Sequence, residues 1–153
     1  MKFYFWLKTL SVSNVLNIVE IIANLALIFT IIYTFNNFKT QIYNENQNFA
    51  ISLYKDYSVL VLDKENRQFL DTTYTNHLDN ISEDYKYYVG FVLFYAESIY
   101  NLMNENESWL NTITYMLEPH LKYMAKEKLV DNAYNSDFVE YCNGLILNSK
   151  SLK

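Results

Sequence analysis

The stretch VLNIVEIIANLALIFTIIYTF, residues 15–35, decides the fold of this chain. A helix of about 21 residues, rising 1.5 Å per residue, spans roughly the 30 Å hydrocarbon layer of a bilayer. Aromatic residues, which prefer the membrane interface, flank the stretch on both sides: Phe3, Tyr4, Phe5, Trp6, Tyr33, Phe35 and Phe38. We therefore predict one transmembrane helix over about residues 12–35, within a membrane anchor formed by residues 1–38.

Two alternatives to an anchor fit an apolar N-terminal stretch. A cleaved signal peptide is one, but the apolar run is long for that role and no small-x-small cleavage site follows it. The buried core helix of a soluble protein is the other. An uncleaved anchor remains the prediction.

Polar residues within the span follow a heptad series, with alternating steps of four and three residues. Such steps place residues along one side of a helix. The series, here called the polar stripe, is Ser13, Asn17, Glu20, Asn24, Leu27, Ile31 and Thr34. Thr30 lies off the stripe, and the opposite side of the helix is apolar.

A carboxylate and two amides in lipid are costly unless they find partners, and the span contains no cation to pair with Glu20. Self-association is the simplest solution, because Asn17, Glu20 and Asn24 would then face their equivalents in other copies. The stripe has three interpretations: a polar zipper that only holds an oligomer together, a ring of Glu20 residues lining a gated pore, or a Glu20 side chain that reaches the interface.

The rest of the chain, residues 39–153, has the composition of a helical domain. The whole sequence holds two Gly and one Pro against 15 Tyr and 10 Phe, so tight turns are few. Apolar residues continue at helical spacing after the span, so we expect one helix to run on to about Leu62. The predicted fold class is all-α: a single N-terminal transmembrane helix followed by a compact bundle of about five helices.

Capping and proline signals place the helices of this domain. The segment Tyr87–Ala96 is apolar on all sides and too short to span a bilayer, so its helix should be the core of the bundle. A second segment that touches the membrane is the alternative. We expect helices after Asp63, from Ser82 to about Asn104, from Trp109 to Glu118, from Pro119 to about Val130, and from Asn135 or Ser136 onward.

Catalytic constellations are scarce in this sequence. His77 and His120 are far apart and lack metal-site spacing, and Gly90 and Gly144 cannot form a phosphate-binding loop. Cys142, the single cysteine, excludes an internal disulfide and falls on an expected apolar helix face, as a structural thiol would. We predict a non-enzyme with no catalytic residues, no metal and no cofactor.

Two groups of basic and aromatic residues are candidate anion sites. The first combines Lys64, Arg67, Tyr74 and His77, and Arg67 is the only arginine, with a planar fork that suits phosphate. The alternative ligand patch combines His120, Lys122, Tyr123 and Lys126. A solvated surface is the simpler interpretation of each.

Charge bears on partners and on location. With Lys2, Lys8 and Glu20 set aside, the remaining chain holds 10 basic and 16 acidic residues, so duplex nucleic acid is not an expected partner. The few lysines near the span favour an outside domain, whereas the lone free cysteine favours a reducing compartment. We predict a single-pass protein of the inner (cytoplasmic) membrane with a cytoplasmic domain.

The landmarks FYAE at 94–97, Trp109, Pro119 and FVEY at 138–141 resemble membrane-anchored helical domains of unknown function. The layout is similar to that of small bacterial antiphage effectors, including CRISPR-associated membrane proteins that bind cyclic oligoadenylate. That resemblance implies a homo-oligomer, such as a tetramer, whose domain binds a small anionic signal, for example a cyclic oligonucleotide, and whose span perturbs the membrane. The alternatives are a tethered protein-interaction domain without a ligand and a stand-alone pore-forming toxin.

Overall fold

The computed structural model describes residues 12–70, 81–127 and 133–151, and every regular element within these ranges is helical. The α-helices in the described ranges are Val12–Leu62 (α1), Glu83–Met103 (α2), Glu107–Leu117 (α3), Leu121–Glu127 (α4) and Ser136–Ser151 (α5). Two short 3-10 turns, Arg67–Leu70 and Glu118–His120, lie between them. The predicted all-α class is confirmed.

Helix α1 is 51 residues long, and its sequence contains neither Gly nor Pro to interrupt it. The chain divides into two compact units, Met1–Asn44 and Glu45–Lys153, and α1 contributes residues to both. All the described residues of the first unit are exposed. By length and composition, the apolar part of α1 is a helix that could cross a membrane.

The C-terminal end of α1 agrees with the predicted end at Leu62, and side chains explain why the helix stops there. The Asn66 amide Nδ2 donates to the Leu60 carbonyl over 2.9 Å, and thus satisfies one carbonyl of the last helical turn. The Asp63 carboxylate accepts the backbone N–H of Glu65 at 3.0 Å. We expected a helix after Asp63, but the described residues there form only the 3-10 turn Arg67–Leu70. Short-range hydrogen bonds fold this segment into tight turns directly after α1.

Helix α2 begins where the capping signal predicted. The Ser82 hydroxyl accepts the backbone N–H of Tyr85 at 3.3 Å, and Glu83 and Asp84 occupy the first turn. Eight of its residues are buried: Tyr85, Tyr88, Val89, Val92, Leu93, Ala96, Ile99 and Met103. The second unit therefore has α2 as its core helix, as predicted, but one side of the apolar segment is exposed, with Tyr87, Phe91 and Phe94 on it.

Helix α3 starts at Glu107, two residues before the expected Trp109, because Asn106 is its cap and accepts the Trp109 N–H at 3.2 Å. Pro119 lies in the first turn of the Glu118–His120 3-10 helix, which leads directly into α4. Asn135 caps α5, since its side chain accepts the Asp137 N–H at 2.9 Å.

A core substitution in α2 tests this architecture. Leu93 is 1% exposed, so Leu93→Ala should lower the free energy of unfolding by about 2–5 kcal/mol, through lost burial and the cavity left behind. Tyr87, which lies earlier on the same helix, is 69% exposed. Tyr87→Ala should therefore change the free energy of unfolding by less than about 0.5 kcal/mol. Urea unfolding of the full chain in a maltoside detergent, followed by near-ultraviolet circular dichroism, measures both. Equal losses in the two variants would contradict a core centred on α2.

Candidate functional site

The polar stripe lies on the exposed N-terminal part of α1. All seven of its residues are helical and exposed: Ser13, Asn17, Glu20, Asn24, Leu27, Ile31 and Thr34. Within the described part of the chain, no hydrogen bond is made by the side chains of Asn17, Glu20 or Asn24. The stripe thus presents two amides and a carboxylate on a helix whose other exposed residues are mostly apolar.

Thr30, a polar residue of the span that lies off the stripe, behaves differently. Its hydroxyl donates to the Ala26 carbonyl at 2.8 Å within the same helix, which is how a threonine satisfies itself in lipid. At the end of the apolar stretch, the Lys39 ammonium lies 4.9 Å from the centroid of the Phe35 ring. A cation beside an aromatic ring suits the membrane interface at the end of a span.

The first candidate anion patch is only partly described. Lys64 and Arg67 are both exposed and lie at the turn that follows α1, where the Arg67 backbone N–H donates to the Asp63 carbonyl at 3.1 Å. The other two members, Tyr74 and His77, lie outside the described residues. Lys64 and Arg67 line none of the described cavities.

The alternative ligand patch is not one surface. His120 and Tyr123 are buried in the core, whereas Lys122 and Lys126 are exposed. The helical period explains this division, because residues 120, 123 and 124 share the inner side of the chain and 122 and 126 the outer side. These four residues therefore do not converge on one ligand.

His120 instead belongs to an aromatic cluster around α2. Its Nδ1 and the Tyr85 hydroxyl are joined by a 2.9 Å hydrogen bond. The ring packs edge to face against Tyr88 at 5.6 Å, and Tyr123 packs against Tyr85 at 5.1 Å. Phe69, from the turn after α1, lies 5.4 Å from Tyr85 and completes the cluster.

Burial controls the ionisation of this cluster. Desolvation lowers the pKa of His120 to about 4 and raises the pKa of Tyr88 to about 12. Nε2 of His120 and the Tyr88 hydroxyl are buried and form no hydrogen bond within the described residues. The imidazole is therefore neutral at pH 7, and it serves the core rather than an anion.

The other polar candidate, Cys142, is also buried. Desolvation raises the pKa of its thiol to about 12, so the thiol stays protonated and unreactive at neutral pH. Within the described residues, no group of three or more His, Cys, Asp and Glu side chains is arranged to hold a metal ion.

A cavity that the sequence analysis missed lies in the second unit. It has a volume of about 510 Å³, and tyrosines from α1 and α3 line it, together with Glu118. The lining residues come from two stretches of the chain that are about sixty positions apart, so no local motif marks the cavity. The signal available in the sequence was only the abundance of tyrosine.

No protein-family model matches this sequence, and comparisons with characterised proteins and with solved structures found no similar chain.

The buried imidazole predicts a specific loss of stability in acid. Between pH 6.5, near the pKa of an unfolded histidine, and pH 4, the unfolded chain binds the proton and the folded chain does not. The free energy of unfolding should therefore fall as the pH falls through this window, by roughly 3 kcal/mol from His120. In the His120→Gln variant, the free energy of unfolding should therefore fall by roughly 3 kcal/mol less than in the wild type between pH 7 and pH 4. Urea unfolding of both proteins at each pH measures the difference, and equal acid losses would refute the buried imidazole.

Proposed function

We propose that this chain is a membrane-anchored homo-oligomeric sensor-effector. In this proposal, α1 crosses the membrane at its N-terminal part, and copies associate along the polar stripe. The observation that carries the proposal is that Asn17, Glu20 and Asn24 share one exposed side of an apolar helix and find no partner in the described chain.

The depth of these groups argues for contact between copies. In a span of residues 12–35, Glu20 lies about 5 Å from the middle, at 1.5 Å per residue, and roughly 10 Å inside the hydrocarbon boundary. A glutamate lacks the long stem with which lysine and arginine reach the interface. A polar partner at the same depth is the remaining solution, and a second copy in the same orientation supplies one.

Self-association provides a hydrogen-bond partner for each of the three amide and carboxyl groups of the stripe. Copies that insert in the same direction bring Asn17, Glu20 and Asn24 to equal depths, so each group meets its equivalent. Each interhelical bond of this kind contributes roughly 0.6–2 kcal/mol. The stripe thereby supports an oligomer whose polar centre is the part that acts on the membrane.

The sensing role rests on α1 itself. The helix that carries the stripe also contributes Ala50, Leu53 and Tyr57 to the core of the second unit. A ligand that changes the packing of this core therefore acts on the same helix that carries the membrane contact. The signal we propose is a small anion bound near Lys64 and Arg67, with a cyclic oligonucleotide as the example that the resemblance implies, and the setting is antiphage defence on a cytoplasmic membrane.

Replacing the polar stripe tests the oligomer. Glu20→Leu combined with Asn17→Leu and Asn24→Leu should shift the full chain towards monomer in detergent, because the polar bonds between copies are lost. The matched control is Thr30→Leu, which removes a hydroxyl that already bonds to its own helix and should leave the oligomer intact.

Native mass spectrometry of the solubilised chains measures the copy number directly. An unchanged copy number in the triple variant would contradict association through the stripe, as would a monomeric wild-type chain.

The anionic signal is tested separately by calorimetry of the full chain with cyclic oligoadenylates. Arg67→Gln should weaken binding by about tenfold or more, because a guanidinium bound to a phosphate contributes roughly 1.5–3 kcal/mol. Lys55→Gln, which removes the same charge from an exposed position on α1, is the control and should bind as the wild type does. Absence of heat with the wild-type chain would remove the anionic signal and leave the oligomer prediction unaffected.

A further inference from the structure

The cavity in the second unit has the walls of a ligand site. Its volume of about 510 Å³ falls within the range of small-molecule pockets. Three tyrosines line it, Tyr54 and Tyr57 from α1 and Tyr115 from α3, with aliphatic side chains and Pro119 between them. The rings of Tyr54 and Tyr57 lie 5.8 Å apart at an angle of 34°, so they form two adjoining walls.

Tyr57 supplies an unused polar group to this cavity. Its side chain is only 4% exposed, and its hydroxyl makes no hydrogen bond within the described residues. Burial and the neighbouring phenols raise the pKa of Tyr57, so the hydroxyl remains neutral. A neutral phenol that lines a cavity can donate to or accept from a ligand, and its ring keeps a negative face.

The charge on the described residues that line the cavity is negative. Among the described residues that line the cavity, Glu118 is the charged one, and no lysine, arginine or histidine accompanies it. Glu118 is exposed and Tyr115 is 70% exposed, so both are accessible to an incoming ligand. Negative ring faces together with one carboxylate attract a cation and disfavour an anion.

We propose that this cavity binds a small organic cation, a primary or quaternary ammonium compound, with the ammonium group against the tyrosine rings and within the field of Glu118. A compact metal ion does not suit it, because ring faces and one carboxylate do not supply the oxygen ligands that such ions require. The site is independent of the proposed anionic signal and of oligomerisation. Its tyrosines on α1 place the ligand in contact with the helix that also carries the polar stripe.

A second concave surface offers a useful contrast. It lies along α5, and its lining includes Tyr100, Tyr141, Asp137 and Glu140. There the Tyr141 hydroxyl already donates to the Leu110 carbonyl at 2.8 Å and lies 2.7 Å from the Thr114 hydroxyl. Aromatic rings and carboxylates therefore occur together at both places, but the Tyr141 hydroxyl is already hydrogen-bonded, whereas the Tyr57 hydroxyl is available to a ligand.

Choline and its neutral isostere 3,3-dimethylbutan-1-ol are the probes for calorimetry of the full chain in a maltoside detergent. Choline should bind saturably, and the neutral isostere roughly five to thirty times more weakly, which corresponds to the strength of a cation–π contact in a desolvated site. Glu118→Gln and Tyr115→Leu should each weaken choline binding several-fold. Both residues are exposed, so both variants should fold, and thermal unfolding by circular dichroism verifies that they do.

The control is Glu140→Gln, which makes the same charge change beside the other tyrosines and should leave choline binding unchanged. The proposal is overturned if the wild-type chain binds no choline, if it binds both probes equally, or if Glu140→Gln weakens binding as much as Glu118→Gln. The triple stripe variant should still bind choline, so failure of the cation site and failure of the oligomer are distinguishable.

Discussion

A hydrogen-bonding group in hydrocarbon needs a partner at its own depth, and α1, a helix that by length and composition could cross a membrane, carries three such groups on one side. Thr30 shows how a polar side chain satisfies itself inside the helix, through its bond to the Ala26 carbonyl. Asn17, Glu20 and Asn24 lack such a bond in the described chain. In a membrane, their partner would have to come from outside the helix, and the oligomer that we propose supplies the same groups at the same depth.

The second unit depends on the same helix in another way. Ala50, Leu53 and Tyr57 of α1 are buried with the core residues of α2, while Tyr54 and Tyr57 line the aromatic cavity. One helix therefore contains the apolar stretch and contributes to both the domain core and the wall of a ligand-sized space. A sensor needs such a shared element, because a ligand shifts an equilibrium only through contacts that differ between its two states.

Local patterns predicted the helices well, because caps and prolines act within a few residues. Ser82 begins α2 and Asn135 caps α5 as expected, and α1 ends at Leu62. Side-chain placement was harder to predict. His120 was assigned to a basic surface, yet it is buried against Tyr85 and Tyr88, which come from another helix. Tyr57 meets Tyr115 and Glu118 only through tertiary packing, which no spacing in the sequence records.

The most direct test of the central claim is a cysteine cross-linking scan of the span in lipid vesicles. Single cysteines replace each residue from Val15 to Thr34 in a Cys142→Ser background, which removes the native thiol. We predict disulfide-linked dimers with maxima at the stripe positions within the scan, which are Asn17, Glu20, Asn24, Leu27, Ile31 and Thr34, and minima on the opposite apolar side. Uniform cross-linking along the span, or none at any position, would contradict the polar stripe as the contact between copies.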